Sequence, residues 1–285
     1  MSRINVGNWN DFVTALTTAE SGDEIYITND IDAQNYMQDF NHSIHVADVA
    51  ELTITGNNYT IKNITNLNFG SSDYSEIFLF TVNTHCNINS LNFSNVWLTA
   101  RNTALFRTYN NSDNVVIISN CTINIKIKTV LAGGGGITLD NCMITFNQCT
   151  GRLGASSTAP STSKYRYCWI RFNSWTEVPN GNDYPSFRYL NRCYLEGNLS
   201  FSTPTSVHSL FSCNSCCVNV SCNILGFDDL DTLILTSSDS LPNVINTTKI
   251  PYLVTESSTA KNKLVTDEQM KDAEYLASVG FDIIP

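Results

Sequence analysis

Five cysteines recur at near-regular intervals down the middle of this chain: Cys121, Cys142, Cys168, Cys193 and Cys216, spaced by roughly two dozen positions each time. With Val96 placed one step earlier, the register extends to the neighbours. Three positions before each anchor stand Phe93, Ile118, Leu139, Tyr165, Leu190 and Cys213. Two positions after stand Leu98, Ile123, Ile144, Ile170, Leu195 and Val218; four after stand Ala100, Ile125, Phe146, Phe172, Gly197 and Val220. These columns are apolar or small, and the positions between them are mostly polar. Period-two alternation inside a repeat of this length points to a solenoid of stacked β-coils.

A coil stacked about 4.8 Å above the last sets equivalent residues over one another. Inward columns must then be apolar throughout, because each coil buries its face only against its neighbours. The repeat is long enough for three short strands and three turns per coil. The spaced leucines and asparagine of leucine-rich repeats are absent, and no strict hexapeptide period supports a left-handed solenoid. The expected fold is all-β, a right-handed parallel β-helix.

The two ends read differently. Trp9, Phe12, Val13, Leu16 and Ala19 share one helical face, with Asn8 placed to cap, Asp11 in the first turn and Gly22 at the exit. Strand patterns follow at Glu24-Ile25-Tyr26-Ile27-Thr28 and at Leu52-Thr53-Ile54-Thr55, then a turn and a strand to Ile61. A capping helix, then Ser21-Gly22-Asp23-Glu24-Ile25-Tyr26-Ile27, then Ile54-Thr55-Gly56-Asn57-Asn58-Tyr59-Thr60-Ile61 resembles the opening of pectate-lyase-like β-helix proteins. The likeness covers the opening stretch of the chain, ending just past Ile61. The resemblance implies that the helix plugs the open end of the solenoid.

At the other end, Thr266 and Gln269 form a capping-box pattern, helix formers run to Val279, and Gly280 is placed to stop the helix. The stretch 265–283 resembles a short C-terminal module found on structural proteins of phages infecting Gram-positive bacteria. The expected organisation is a capping segment at 1–24, the β-helix at 25–245, a linker at 246–264 and a helical tail at 265–285. Excursion loops are expected at 147–164 and 173–186.

Only 15% of residues are charged against 42% apolar, and Asn, Thr and Ser stand where charges would be. Such residues solvate a sheet without setting like charges opposite each other on adjacent strands. Net charge is −10 and no cluster of Lys or Arg is evident, which argues against nucleic acid as a partner. The first residues lack the apolar core of a signal peptide and no apolar run approaches a membrane span, so no membrane partner and folding in a cytoplasm are expected. With no export signal, the ten cysteines are expected reduced.

Cys213 and Cys216 have zinc-like spacing, but both fall on inward columns where other coils place Leu, Tyr or Val. Packing as small hydrophobes is the preferred reading, with no metal and no cofactor expected. The outward positions are different. One residue after each anchor stand Trp97, Thr122, Met143, Trp169, Tyr194 and Cys217; three after stand Thr99, Asn124, Thr145, Arg171, Glu196 and Asn219. Trp97, Met143, Trp169, Arg171, Tyr194 and Glu196 are the binding or interface candidates. Three readings are open for them: an oligomer contact rich in aromatics, Met and Arg, a platform for sugar rings, or packing beneath the two excursion loops.

Catalysis has thinner support. Glycoside hydrolysis needs two carboxylates at a set separation, whereas Glu196 is expected to pair with Arg171 one coil away. Asp228, Asp229 and Asp231 lie where the repeat fades, and His42, His45, His85 and His208 are scattered, so no catalytic residue is assigned. The resemblances imply a bacteriophage virion component, a tail-fibre, tailspike or appendage scaffold serving host attachment. Its expected partners are two further copies in a homotrimer, other virion proteins and a host-surface glycan. The alternative is a polysaccharide depolymerase, glycosidase or lyase, on the same scaffold.

Overall fold

The structure is a computed structural model that describes residues 2–33, 43–66, 74–81, 83–98, 102–108, 115–126, 129–133, 136–147, 149–150, 164–177, 187–202, 211–225, 234–236, 243–246, 248, 262–279 and 281. It is a parallel β-helix in two compact units, residues 1–144 with 154–163, and residues 145–153 with 164–285.

In the first unit the chain visits three parallel sheets in the same order on each coil. One sheet stacks Arg3–Val6, Asp23–Ile27, Leu52–Thr55, His85–Asn89, Val115–Ser119 and Ile137–Asp140. A second stacks Ile31–Asp32, Thr60–Lys62, Asn92–Leu98 and Thr122–Ile125. The third stacks Ile44–Val46, Tyr74–Phe80, Asn102–Thr108 and Thr129–Gly133. The inward residues of the three sheets, among them Ile54, Ile88, Phe93, Phe106 and Ile118, are buried. Helix α1 (Trp9–Thr18) buries Trp9, Phe12, Val13, Ala15 and Leu16, with Asn8 accepting from the Asp11 amide at its start. Phe12 meets Phe78 edge to face at 6.2 Å, so the helix sits on the phenylalanine core of Phe78, Phe93 and Phe106. The void left beneath it is about 10 Å³ and lined by apolar side chains, barely one water's worth and no ligand site.

In the second unit one sheet stacks Lys164–Arg166, Phe187–Asn191, Phe211–Asn214 and Ile234–Thr236. The other stacks Trp169–Glu177, Tyr194–Ser202, Cys217–Leu225, Asn243–Asn246 and Asn262–Val265. The segment 246–264 read as a linker therefore includes strand residues at 262–264, and 249–261 lies outside the described residues. The C-terminal helix is two: α2 (Asp267–Lys271) and α3 (Ala273–Ser278). The break falls at Asp272, whose side chain leaves the helix to accept the Tyr275 amide and cap α3. Gly280 lies outside the described residues.

The cysteine anchors share one local geometry, and the structure supplies its reason. The residue before each anchor is left-handed: Asn120, Asn141, Tyr167, Arg192 and Ser215 have φ between 50° and 54°. This one residue turns the chain sharply from one sheet to the next. Each anchor thiol then donates back across the corner to the carbonyl two residues earlier, Cys121 to Ser119 at 3.1 Å and Cys168 to Arg166 at 3.2 Å. Cys142, Cys193 and Cys216 do the same at 3.3 to 3.5 Å. Cysteine is small enough for the core and carries a weak donor for the corner carbonyl. The eight cysteines whose side chains are described are buried free thiols.

One coil is out of register with the sequence reading. Ile88 pairs with Ile118 and Phe93 with Ile123, which sets Leu91, preceded by left-handed Ser90, where the sequence register puts Val96. Val96 instead pairs with Ile125 after a bulge at Asn95, whose φ is 51°. That coil has Leu in place of Cys, and its bulge offers a second apolar residue that fits the alternation equally well.

Candidate functional site

Two of the six outward candidates, Trp97 and Met143, lie in the first unit. Trp97 moves with the register correction: it pairs with Thr65 beyond the bulge, away from the position held by Thr122 in the next coil. It is 43% exposed, with the Lys126 ammonium 5.7 Å from its ring centroid. Met143 is half-buried, and its amide donates to the Cys121 carbonyl.

The other four come together in the second unit. Strand pairing stacks Trp169, Tyr194, Cys217, Val244 and Lys263 in one outward column. Trp169 and Tyr194 meet edge to face with centroids 6.2 Å apart. Two residues along, Arg171 Nε donates to Glu196 Oε1 at 2.5 Å, and the Arg171 guanidinium lies 4.6 Å from the Trp169 ring centroid. The expected pairing of these two charges is present.

What covers this column is the chain's own C-terminus. Met270 from α2, Leu276 from α3 and Phe281 pack on Tyr194, Cys217, Val244 and Val265, with Trp169, Tyr275 and Val279 against the rim. Tyr194 is left 6% exposed. Cys217 Sγ donates to Met270 Sδ at 3.2 Å, and burial pushes the Cys217 thiol up to about 12. Burial also raises the Tyr194 hydroxyl above the ordinary tyrosine range. A polar chain fixes the start of α2: Asn246 donates to Asp267 at 2.5 Å and to Asn219 at 2.9 Å, and Asn219 donates to the Tyr194 hydroxyl at 3.2 Å. Thr266 and Gln269 exchange the two bonds of the capping box. Burying the three apolar anchors is worth about 1.5–3 kcal/mol each, enough to hold two helices too short to persist alone.

The segment that packs on Tyr194 and against Trp169 is one that none of the three readings named. The covering segment is the C-terminal helices; 151–163 and 178–186 of the two excursion loops lie outside the described residues. The sequence showed α2 and its capping box but held no signal for where the helices dock. Glu196, engaged by Arg171, offers a structural ion pair. Among the described residues no group of three or more His, Cys, Asp or Glu is arranged to hold a metal ion. Asp228, Asp229, Asp231, His42 and His208 lie outside the described residues. No family model, no curated protein and no solved structure matches this chain.

Proposed function

We propose that the chain is a structural component of a bacteriophage virion, a β-helical fibre, spike or appendage that acts as a rigid scaffold and contributes to host-surface adhesion. The observation that carries this reading is the docking of the C-terminal segment. The stretch that resembles a module of phage structural proteins packs Met270, Leu276 and Phe281 onto the flank of the last coils and becomes part of the scaffold. Stiffness has a physical basis in side-chain ladders running from coil to coil. Asn141 donates to Asn120 and Asn120 to Asn89, each at 2.8 Å, and Asn95 donates to Asn63 at 2.8 Å. Each such bond ties one coil to the next in addition to the backbone pairing.

The reading includes assembly as a homotrimer with other virion proteins as neighbours. Its contact surface is a face other than the Trp169–Tyr194 column, which α2 and α3 occupy. Antibody labelling of purified particles in electron micrographs tests the assignment: label at a fixed point on the particle supports it, and particles free of both label and the polypeptide by mass spectrometry refute it. Light scattering on the pure protein, giving three times 31.6 kDa or one, tests the trimer.

A further inference from the structure

The corner position that recurs on each coil holds two residues that do not belong there on conformational grounds. Four of its occupants are Ser90, Asn120, Asn141 and Ser215, small polar residues that accept or tolerate φ near +50°. Two others, on adjacent coils, are Tyr167 at φ 51° and Arg192 at φ 50°. A bulky side chain in the left-handed region costs about 1–2 kcal/mol. Tyr167 and Arg192 recover part of this through their mutual contact, the guanidinium lying 5.7 Å from the ring centroid. An exposed cation–π pair returns only about 0.5–1 kcal/mol, less than two such corners cost. Both side chains are nonetheless turned to solvent, Tyr167 with 41% of its surface exposed.

Their surroundings are basic in an acidic protein. Lys164, Arg166 and Arg192 are exposed around this corner, while the whole chain carries −10. Lys164 and Arg166 are the exposed positions of the strand that leads into the Tyr167 corner, with Tyr165 buried between them. That strand pairs directly with the one leading into the Arg192 corner, Arg166 opposite Asn191. The Tyr167 amide donates to the Asn191 carbonyl at 3.0 Å, which fixes the two corners one above the other. No run of basic residues announces this patch along the chain; coil stacking assembles it from two successive coils.

We infer that the Tyr167–Arg192 corner, flanked by Lys164 and Arg166, is a binding site for an anionic glycan. A planar guanidinium pairs with a carboxylate through two parallel hydrogen bonds, and the tyrosine beside it offers an apolar ring with a polar tip to a sugar. Nucleic acid fits less well, because its dense phosphate charge meets the long-range repulsion of a chain at −10 with only a small basic patch to offset it. The inference deepens the adhesion part of the proposed function, yet its test needs only the pure protein. A failed glycan assay leaves the particle labelling intact, and the reverse also holds.

The full-length protein is run through native gels containing polygalacturonate, neutral dextran or duplex DNA. Polygalacturonate is expected to retard it, dextran is not, and about 0.5 M salt should abolish the retardation by screening. Arg192→Ala should weaken retention about tenfold, the scale of one charge-assisted hydrogen bond. Tyr167→Asn separates binding from folding, because asparagine tolerates the left-handed backbone of this corner. That variant should melt no lower than the wild type while retention falls. Unretarded wild type, variants retained like wild type, a lower melting point for Tyr167→Asn, or equal retardation by dextran or DNA would each overturn the assignment.

Discussion

Cys217 and Met270 meet sulfur to sulfur at 3.2 Å, 53 residues apart in the chain, and this contact joins the last coils to the C-terminal helices. The same pair marks the difference between a surface column and a core one. Trp169 and Tyr194 point outward from their strands, yet with α2 and α3 in place they belong to a second small core outside the coil.

Met270→Glu should therefore release the helices without unfolding the coils. A carboxylate placed against Cys217, Val244 and Leu276 has no charge partner among the residues of that cluster. Burying it costs several kcal/mol, and the substitution also removes one of the three apolar anchors that hold two helices too short to persist alone. Tryptophan emission should shift to the red as Trp169 gains water, and Cys217 should become reactive to iodoacetamide, read by peptide mass spectrometry. Protection of Cys217 unchanged from wild type would show that the helices stay docked.

Gly197 is the place where the coil core is least forgiving. It continues the inward column of Phe146 and Phe172, whose rings stack at 5.5 Å with planes 9° apart, and its φ is +118°. A Cβ there would land on the carbonyl of Phe172, which is backbone and cannot swing aside. Gly197→Ala should cost about 3 kcal/mol or more, from strained backbone plus the clash. Thermal melts and soluble yield report it; a melting point within about 2 °C of wild type, the shift expected for about 1 kcal/mol, contradicts the clash.

The N-terminal cap should loosen in acid. The Asp23 carboxylate accepts from the amides of Glu20 and Ser2 and from the Ser2 hydroxyl, which holds it below the usual carboxylate range. Glu24 is held down likewise by its bond from Arg3, with Thr55 adding a second. A depressed carboxylate stabilises the fold above its unfolded value, about pH 4, and that contribution is lost as pH falls through the folded value. Asp23→Asn should therefore lower stability at pH 7 and flatten the decline in melting temperature below about pH 4. Parallel curves for variant and wild type would remove Asp23 from the acid response.

Much of the coil register was legible in the sequence because stacking repeats a chemical requirement. Ile118 over Leu139, Tyr165 over Leu190 over Cys213, and Ile170 over Leu195 over Val218 are found as the columns align them. Where a bulge breaks the repeat, at Asn95, alternation alone offers two equivalent registers, and without a cysteine to choose between them Val96 takes the place of Leu91. The left-handed corner leaves a trace in Asn120, Asn141, Ser90 and Ser215, but Tyr167 and Arg192 hide it, being residues whose own preference points elsewhere. The docking of α2 and α3 was not legible. A capping box specifies where a helix begins, and nothing local in Met270 or Leu276 says which of several apolar faces it will cover.

The buried thiols set the alkaline limit. Burial pushes Cys217 up to about 12 and also raises Cys86 and Cys193 above the ordinary thiol value of about 8.5. A thiol whose folded value is raised stabilises the fold fully below its unfolded value, and that contribution drains away as pH climbs toward the folded one. Stability should thus hold to about pH 8.5 and then decline, each such thiol adding about 1.4 kcal/mol per pH unit to the slope. Melting temperature measured from pH 7 to 11 gives the onset. Cys193→Ala removes one contributor and should make the decline shallower, even though the lost Sγ contacts with the Tyr165 and Asn191 carbonyls lower the melting point at neutral pH. A slope identical to wild type above pH 9 would mean that the corner thiols are not what fails in base.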